Sequence, residues 1–359
     1  MYRFPESADA LTIVKARQPR SGYSGCADSI HREKPKTDMV RYKNCVATVF
    51  LFLPVLLVVG CSEINVVPYP SDSVFAKDKR LQLPELLPDV SLSIVKTAES
   101  RTLEAFFYSG GSWTTKRVGA HSAILVRHPQ GAFLFDTGLG NNVDEQFQEG
   151  MPFWLKPFMA YQKIGSAQAL LADEVKKNPI RAIILSHLHW DHASGIKDFS
   201  SAEVWTTRKE YEWATGPSPP EGPYIKSQYL GNNIKWRFIQ FESGPYENFD
   251  RSLDIFRDGS IVLVPLPGHT PGAIGMFVNL RSGKRLFFPG DTTWVSEGFQ
   301  IPAHKFWISS LLVDYDKSET EHAILKVRRL MQEYPKMIIV PAHDDKAQQA
   351  IGFFPHFIR

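Results

Sequence analysis

The sequence predicts an α/β fold, because short apolar runs alternate with longer helical stretches along the chain, and several of those runs end in a metal-binding side chain. Phe133-Leu134-Phe135 is the first such run and leads into Asp136-Thr137-Gly138. Residues 166–177 follow, longer and free of Pro and Gly, and read as a helix. Arg181-Ala182-Ile183-Ile184-Leu185-Ser186 reads as a short buried strand with Ile and Leu in a row. Ile261-Val262-Leu263-Val264, Leu286-Phe287-Phe288 and Met337-Ile338-Ile339-Val340 repeat the pattern, and residues 320–333 supply a second helical stretch.

The strand at 181–186 runs into His187-Leu188-His189-Trp190-Asp191-His192, the pattern His-x-His-x-Asp-His. Three imidazoles and a carboxylate packed so closely are unfavourable to bury without a cation, because buried polar groups need partners. They are expected on the loop at the strand's C-terminal end, where α/β proteins place their chemistry. Each later apolar run also ends in a potential ligand. Pro265-Leu266-Pro267-Gly268 presents His269, Pro289-Gly290 presents Asp291, and Pro341-Ala342 presents His343.

With these residues the chain resembles the metallo-β-lactamase superfamily over residues 91–359. The resemblance implies an αββα sandwich, two mixed β-sheets face to face with helices outside and a dinuclear site at one edge. It also implies that His187, His189 and His269 bind a first metal, and that Asp191, His192 and His343 bind a second. Asp291 would bridge the two, and Asp136 would orient ligands by hydrogen bonds. A donor set of imidazoles and carboxylates without thiolate suits two Zn²⁺ best, with Mn²⁺, Fe²⁺ or Co²⁺ compatible. The implied chemistry is attack on a carbonyl by a metal-bridging hydroxide, with Asp191 and Asp291 as the catalytic carboxylates.

The amino terminus points to a membrane. Residues 44–60 carry no charge and follow Arg41 and Lys43, as the parts of a secretory signal do. Val58-Val59-Gly60-Cys61 resembles a bacterial lipobox, which makes Cys61 the lipidation site and residues 39–61 the signal, starting at Met39. A membrane-spanning helix is the second reading. Residues 1–38 read as a disordered extension or misassigned start, and the Pro- and Ser-containing residues 62–90 as a tether. The expected location is the bacterial cell envelope, anchored to a membrane and facing the periplasm or exterior.

The net charge of +3 belongs to the leader. Residues 1–60 hold nine Lys or Arg and five Asp or Glu, leaving 32 basic and 33 acidic residues beyond them. So even a balance argues against a nucleic-acid partner. The only cysteines are Cys26, Cys45 and Cys61, so the domain holds no disulfide and depends on its core.

Asp291, where true metallo-β-lactamases carry Cys or Ser, groups the chain with lactonases, thioesterases and phosphodiesterases. The long leading segment and the sequences around His269 and His343 resemble acyl-homoserine lactonases most, so lactone or ester hydrolysis of a hydrophobic small molecule is expected. Thioesterase or phosphodiesterase activity is the alternative; β-lactamase, mono-iron sulfur dioxygenase and non-catalytic metal-binding lipoprotein rank lower. Many lactonases carry Tyr three residues after the bridging Asp. Here Trp294 stands there, able to donate from its indole but not to act as a phenolic acid. Trp294 and Phe299 are the expected substrate-binding residues, and the apolar segment 151–159 is read as cleft wall, membrane contact or packing. His121, His128, His304, His322 and His356 read as structural or solvated, Lys305 as a partner for a substrate carboxylate, and 217–223 as a surface loop.

Overall fold

A computed structural model describes residues 86–217 and 222–359 of the chain. The expectations for residues 1–38 and for the signal at 39–61 with Cys61 lie outside the described residues. So does nearly all of the tether at 62–90. Its last residues pack on the domain: the Leu87 carbonyl accepts from Arg281 Nε at 2.7 Å and Val90 is buried.

The chain builds two mixed sheets flanked by helices. The first sheet contains β1 (Ser91–Leu103), β2 (Lys116–His128), β3 (Gly131–Phe135), β4 (Gln162–Lys163), β5 (Ile180–Ile184), β6 (Glu203–Thr206) and β7 (Lys235–Phe238). Their spatial order is β4-β1-β2-β3-β5-β6-β7, antiparallel as far as β3 and parallel beyond it. The second sheet contains β8 (Gly244–Tyr246), β9 (Phe249–Asp254), β10 (Ile261–Pro265), β11 (Ile274–Asn279), β12 (Arg285–Phe288) and β13 (Ile338–Ile339). It runs β13-β12-β11-β10-β9-β8, and only the β12–β13 pair is parallel. Helices α1 (Val143–Gly150), α2 (Ala167–Leu170), α3 (Ala172–Lys177), α4 (Trp190–Ala193), α5 (Arg208–Thr215) and α6 (Lys226–Tyr229) lie between strands of the first sheet. Helices α7 (Glu297–Gln300), α8 (Trp307–Val313), α9 (Lys317–Glu333) and α10 (Asp345–Ile351) belong to the second half. Among the described residues no helix is long and apolar enough to cross a membrane.

Strands buried on both faces explain the unbroken apolar runs. Along β3, Ala132 and Leu134 join a core cluster that includes Leu171 and Leu185. Phe133 and Phe135 turn to the other face, where the Phe135 ring lies 6.5 Å from Phe288 of β12. In the second sheet Val262, Val264, Phe277 and Phe287 pack with Ala323, Ile324, Val327 and Leu330, one face of α9. That helix begins three residues before the expected start at 320, because the Asp316 side chain accepts from the Glu319 N–H and caps it. Removing such a cap costs about 1 kcal/mol. The helix expected at 166–177 is two: Ser166 caps α2, and the chain breaks at the fully buried Leu171 before α3. The β1–β2 hairpin, the longest pairing of the fold, was not among the sequence expectations.

Candidate metal centre

Four loops at strand ends converge at one edge of the two sheets. His187 and His189 follow β5, and Asp191 and His192 open α4. His269 follows β10, Asp291 follows β12 and His343 follows β13. All seven are buried. The backbone is shaped for this convergence. Gly268 adopts φ 133°, and a Cβ there would lie 2.4 Å from the Thr320 nitrogen, so the turn presenting His269 accepts only glycine. Asp136, after β3, sits at φ 57°, a left-handed conformation that Asp tolerates better than most residues. The Ser186 carbonyl accepts from the Ile274 N–H at 3.0 Å and so ties the loop after β5 to β11 of the other sheet.

The seven side chains fall on two sides of Asp291, and their ligand atoms gather in three groups: His187, His189 and His269; His187, His192 and Asp291; and Asp191 and His343 together with His121. His189 Nδ1 and His269 Nε2 approach to 3.0 Å, and the His187 ring is 4.5 Å and 4.7 Å from theirs. Ligand atoms of these three lie within 4.8 Å of one another. On the other side His343 Nε2 lies 3.4 Å from Asp191 Oδ2, and His192 Nε2 lies 3.7 Å from the same oxygen. Asp291 stands between the sets: its oxygens lie 3.6 Å from His269 Nε2, 3.3 Å from His192 Nε2 and 3.0 Å from His343 Nε2.

Outward-facing atoms are tied down while inward-facing ones lack partners. Asp136 accepts from the Ser186 N–H and hydroxyl, each at 2.7 Å, and lies 2.9 Å from His192 Nδ1. The His187 Nδ1 meets Ser186 Oγ at 2.9 Å, His269 Nδ1 meets Asp314 Oδ1 at 2.7 Å, and His343 Nδ1 meets the Ala120 carbonyl at 2.8 Å. By contrast His187 Nε2, His192 Nε2 and Asp291 Oδ1 are buried with no hydrogen-bond partner. Buried polar atoms rarely go unpaired. Rings fixed through one nitrogen with the other aimed inward are the usual arrangement of metal-ligating histidines.

Charge fits a cation equally well. Burial holds the His187 and His189 rings well below the usual histidine range, which leaves them neutral. Burial opposes charge on His192 too, but Asp191, Asp136 and Asp291 raise its pKa well above that range. Three carboxylates around one ring create a field that favours a cation as much as a proton. Asp291 itself is held well below the usual carboxylate range, burial being overcome by His343 and His192. Neutral imidazoles and ionised carboxylates are the ligating forms of these side chains. The residues therefore fit a dinuclear centre.

The site forms the floor of a cavity of about 350 Å³. Phe106, Phe158, Met159, Ile308 and Leu312 supply much of its wall, and Ser100, Thr102 and Ser309 add hydroxyls. Trp294 lines the cavity and donates its Nε1–H to Asp291 Oδ2 at 3.0 Å. The segment 151–159 divides: Met151 and Leu155 are core, Phe153 and Trp154 are exposed, and Phe158 and Met159 reach the cavity.

Four expectations need correction. Phe299 is not a cleft residue; it is fully buried against the α9 core with Phe287 and Ile324. Lys305 does not face substrate, because it is buried with its ammonium 2.7 Å from Asp314 Oδ1. His121, expected to be structural or solvated and away from the ligands, is buried and stands beside them. It lines the cavity with Nδ1 2.9 Å from Asp191 Oδ2. The loop expected at 217–223 is not wholly on the surface, for Gly222 and Pro223 are buried and the Pro223 carbonyl accepts from the Trp190 N–H at 2.8 Å. Sequence reasoning also missed Glu210, a fully buried carboxylate that accepts from the Leu188 N–H at 2.9 Å and the Gly272 N–H at 3.1 Å. No local pattern marks it.

A sequence profile of the Metallo-beta-lactamase superfamily matches residues 117–343. The N-acyl homoserine lactonase AttM of Rhizobium radiobacter is 24% identical over 240 residues, covering 65% of this chain and 85% of that protein. An N-acyl homoserine lactonase of Bacillus cereus is 26% identical over 245 residues, with 65% and 85% covered. Among solved structures, a Bacillus thuringiensis AiiA mutant with N-decanoyl-L-homoserine bound superposes with a TM-score of 0.58 at 19% identity, covering 76% of this chain and all of that one. The dizinc quorum-quenching lactonase AidC, in complex with a product, gives a TM-score of 0.50 at 17% identity, with 76% and 90% covered. At these identities the structural likeness concerns the fold.

Proposed function

The chain belongs to the Metallo-beta-lactamase superfamily, and from that premise we propose that it is a dinuclear-metal hydrolase opening lactones or esters with an apolar acyl chain. N-acyl-homoserine lactones are the substrate class we favour. One observation carries the reading: inward-aimed His and Asp atoms, several without partners, form the floor of a largely apolar cavity. The lactonase relatives at 24% and 26% identity support the choice of substrate.

His187, His189 and His269 would hold one cation, Asp191, His192 and His343 the other, with Asp291 shared. Two Zn²⁺ there would supply Lewis acidity and activate water at neutral pH. The chain's own residues do the positioning. Asp136 fixes the Ser186 loop and the His192 ring together, so the first and second sets keep their spacing. Asp314 and Ala120 fix the His269 and His343 rings. Phe158, Met159 and Leu312 line the space above the site, where an acyl chain would exclude water.

The test is acid release from N-acyl-homoserine lactones of increasing chain length by the zinc-loaded full chain, followed with a pH indicator. Ring opening with kcat/KM of about 10⁴ M⁻¹s⁻¹ or more, rising with chain length, supports the reading. No release from protein shown to carry metal would discard lactones and move the search to thioesters and phosphodiesters. We place the enzyme at the bacterial cell envelope on the sequence of residues 39–61 alone. Cys61→Ala should release it from membranes; retention would indicate a spanning helix instead.

A further inference from the structure

His121 belongs to none of the strand-end motifs, yet it lies inside the site they build. It stands on β2 opposite Ala98, next to a register shift in the β1–β2 pairing, and its carbonyl accepts from Thr97 Oγ1 at 2.7 Å. Its ring packs edge-on against His343 at 5.0 Å and lies 5.8 Å from Trp190. The neighbouring residue ties the same strand to His343 twice: the Ala120 N–H donates to the His343 carbonyl at 3.2 Å, and the Ala120 carbonyl meets His343 Nδ1 at 2.8 Å. Two consecutive residues of β2 therefore touch two members of the second set, Asp191 and His343, which come from separate loops.

The tautomer follows from the surroundings. His121 Nδ1 lies 2.9 Å from Asp191 Oδ2, and its Nε2 is buried without a hydrogen-bond partner. A hydrogen on Nδ1 is satisfied by the carboxylate. Placing it on Nε2 would strand a buried donor and set two acceptors against each other. The oxygen His121 contacts is the one that lies 3.4 Å from His343 Nε2 and 3.7 Å from His192 Nε2. It is thus the Asp191 oxygen that turns toward the other members of the set.

We propose that His121 is the positioning residue of the second cation set, holding Asp191 Oδ2 in ligating orientation through its Nδ1–H. The inference rests on the dinuclear reading above. In effect β2 serves as a template: Ala120 sets the His343 ring, and His121 sets the Asp191 carboxylate. Outer-sphere partners of this kind typically govern 10- to 100-fold in metal affinity.

The full chain discriminates the role through two amide variants. In His121→Asn the side-chain amide falls near the position of Nδ1, whereas in His121→Gln it falls near that of Nε2. Each variant would be stripped, titrated with Co²⁺ against a competing chelator, and followed by its visible absorption. His121→Asn should bind both equivalents nearly as the wild type does and show a similar spectrum. His121→Gln should bind the first equivalent normally and the second about 10- to 100-fold more weakly, with an altered spectrum. Equal behaviour of the two variants, whether both intact or both impaired, would overturn the role. Fewer than two equivalents in the wild type would instead sink the dinuclear reading, and this inference with it.

Discussion

The indole N–H of Trp294 donates to Asp291 Oδ2 at 3.0 Å, so the residue three positions after the central carboxylate grips that carboxylate rather than offering substrate a free donor. Its ring lines the cavity at the same time. Trp294→Phe keeps an aromatic wall and removes the hydrogen bond. Hydrogen bonds to charged groups contribute about 1.5–3 kcal/mol, so kcat/KM should fall about 10- to 100-fold. Steady-state kinetics check this; unchanged kcat/KM would show that Asp291 needs no such partner.

Behind His269 lies a buried relay. Asp314 Oδ1 is 2.7 Å from both His269 Nδ1 and Lys305 Nζ. Burial opposes ionisation of Asp314, but Lys305 and His269 hold its pKa down at about 2. A carboxyl depressed below its unfolded value of about 3.9 stabilises the fold above that pH, and the contribution is lost as pH falls toward 2. In metal-free protein, Asp314→Asn should therefore be less stable than wild type at pH 5, and the gap should close between about pH 4 and pH 2. Thermal unfolding of both proteins across that range measures it. A gap that does not change with pH would refute the assignment.

Glu210 joins the two loops that carry the first set. One oxygen accepts from Leu188 between His187 and His189, and the other accepts from Gly272 just after His269. Glu210→Ala leaves two buried N–H groups unpaired, each at a cost of about 1–3 kcal/mol. It should lower the melting temperature and weaken binding of the first metal equivalent, whereas His121→Gln acts on the second. Calorimetry with metal titration separates the two; a weakened second equivalent alone would contradict this account.

Much of the site is legible in the sequence because its ligands stand immediately after strands made of unbroken apolar residues. Ile183 and Leu185 announce the first loop, Val262 and Val264 the second, and Phe287 the third. What sequence reading misses is long-range or mixed in character. In β1, Ser91, Ser93, Lys96, Thr97, Glu99 and Arg101 interrupt the apolar residues, so no continuous run marks that strand of the hairpin. His121 gains meaning only through Asp191, 70 residues later, and Glu210 only through two backbone amides far apart in sequence. Phe299 and Lys305 follow Asp291 closely enough to suggest the cleft, yet tertiary packing directs one into the α9 core and the other onto Asp314.

The most direct measurement is a count of zinc bound per chain, with turnover recorded after each equivalent, for wild type and Asp291→Ala. The carboxylate of Asp291 lies within 3.6 Å of nitrogens from both sets, so its loss should disturb both. Wild type should take up two equivalents and reach full activity only with both. Asp291→Ala should stay folded, lose at least one equivalent and lose turnover. Full activity with a single equivalent, or an Asp291→Ala variant that keeps two zinc ions and wild-type turnover, would contradict the dinuclear account.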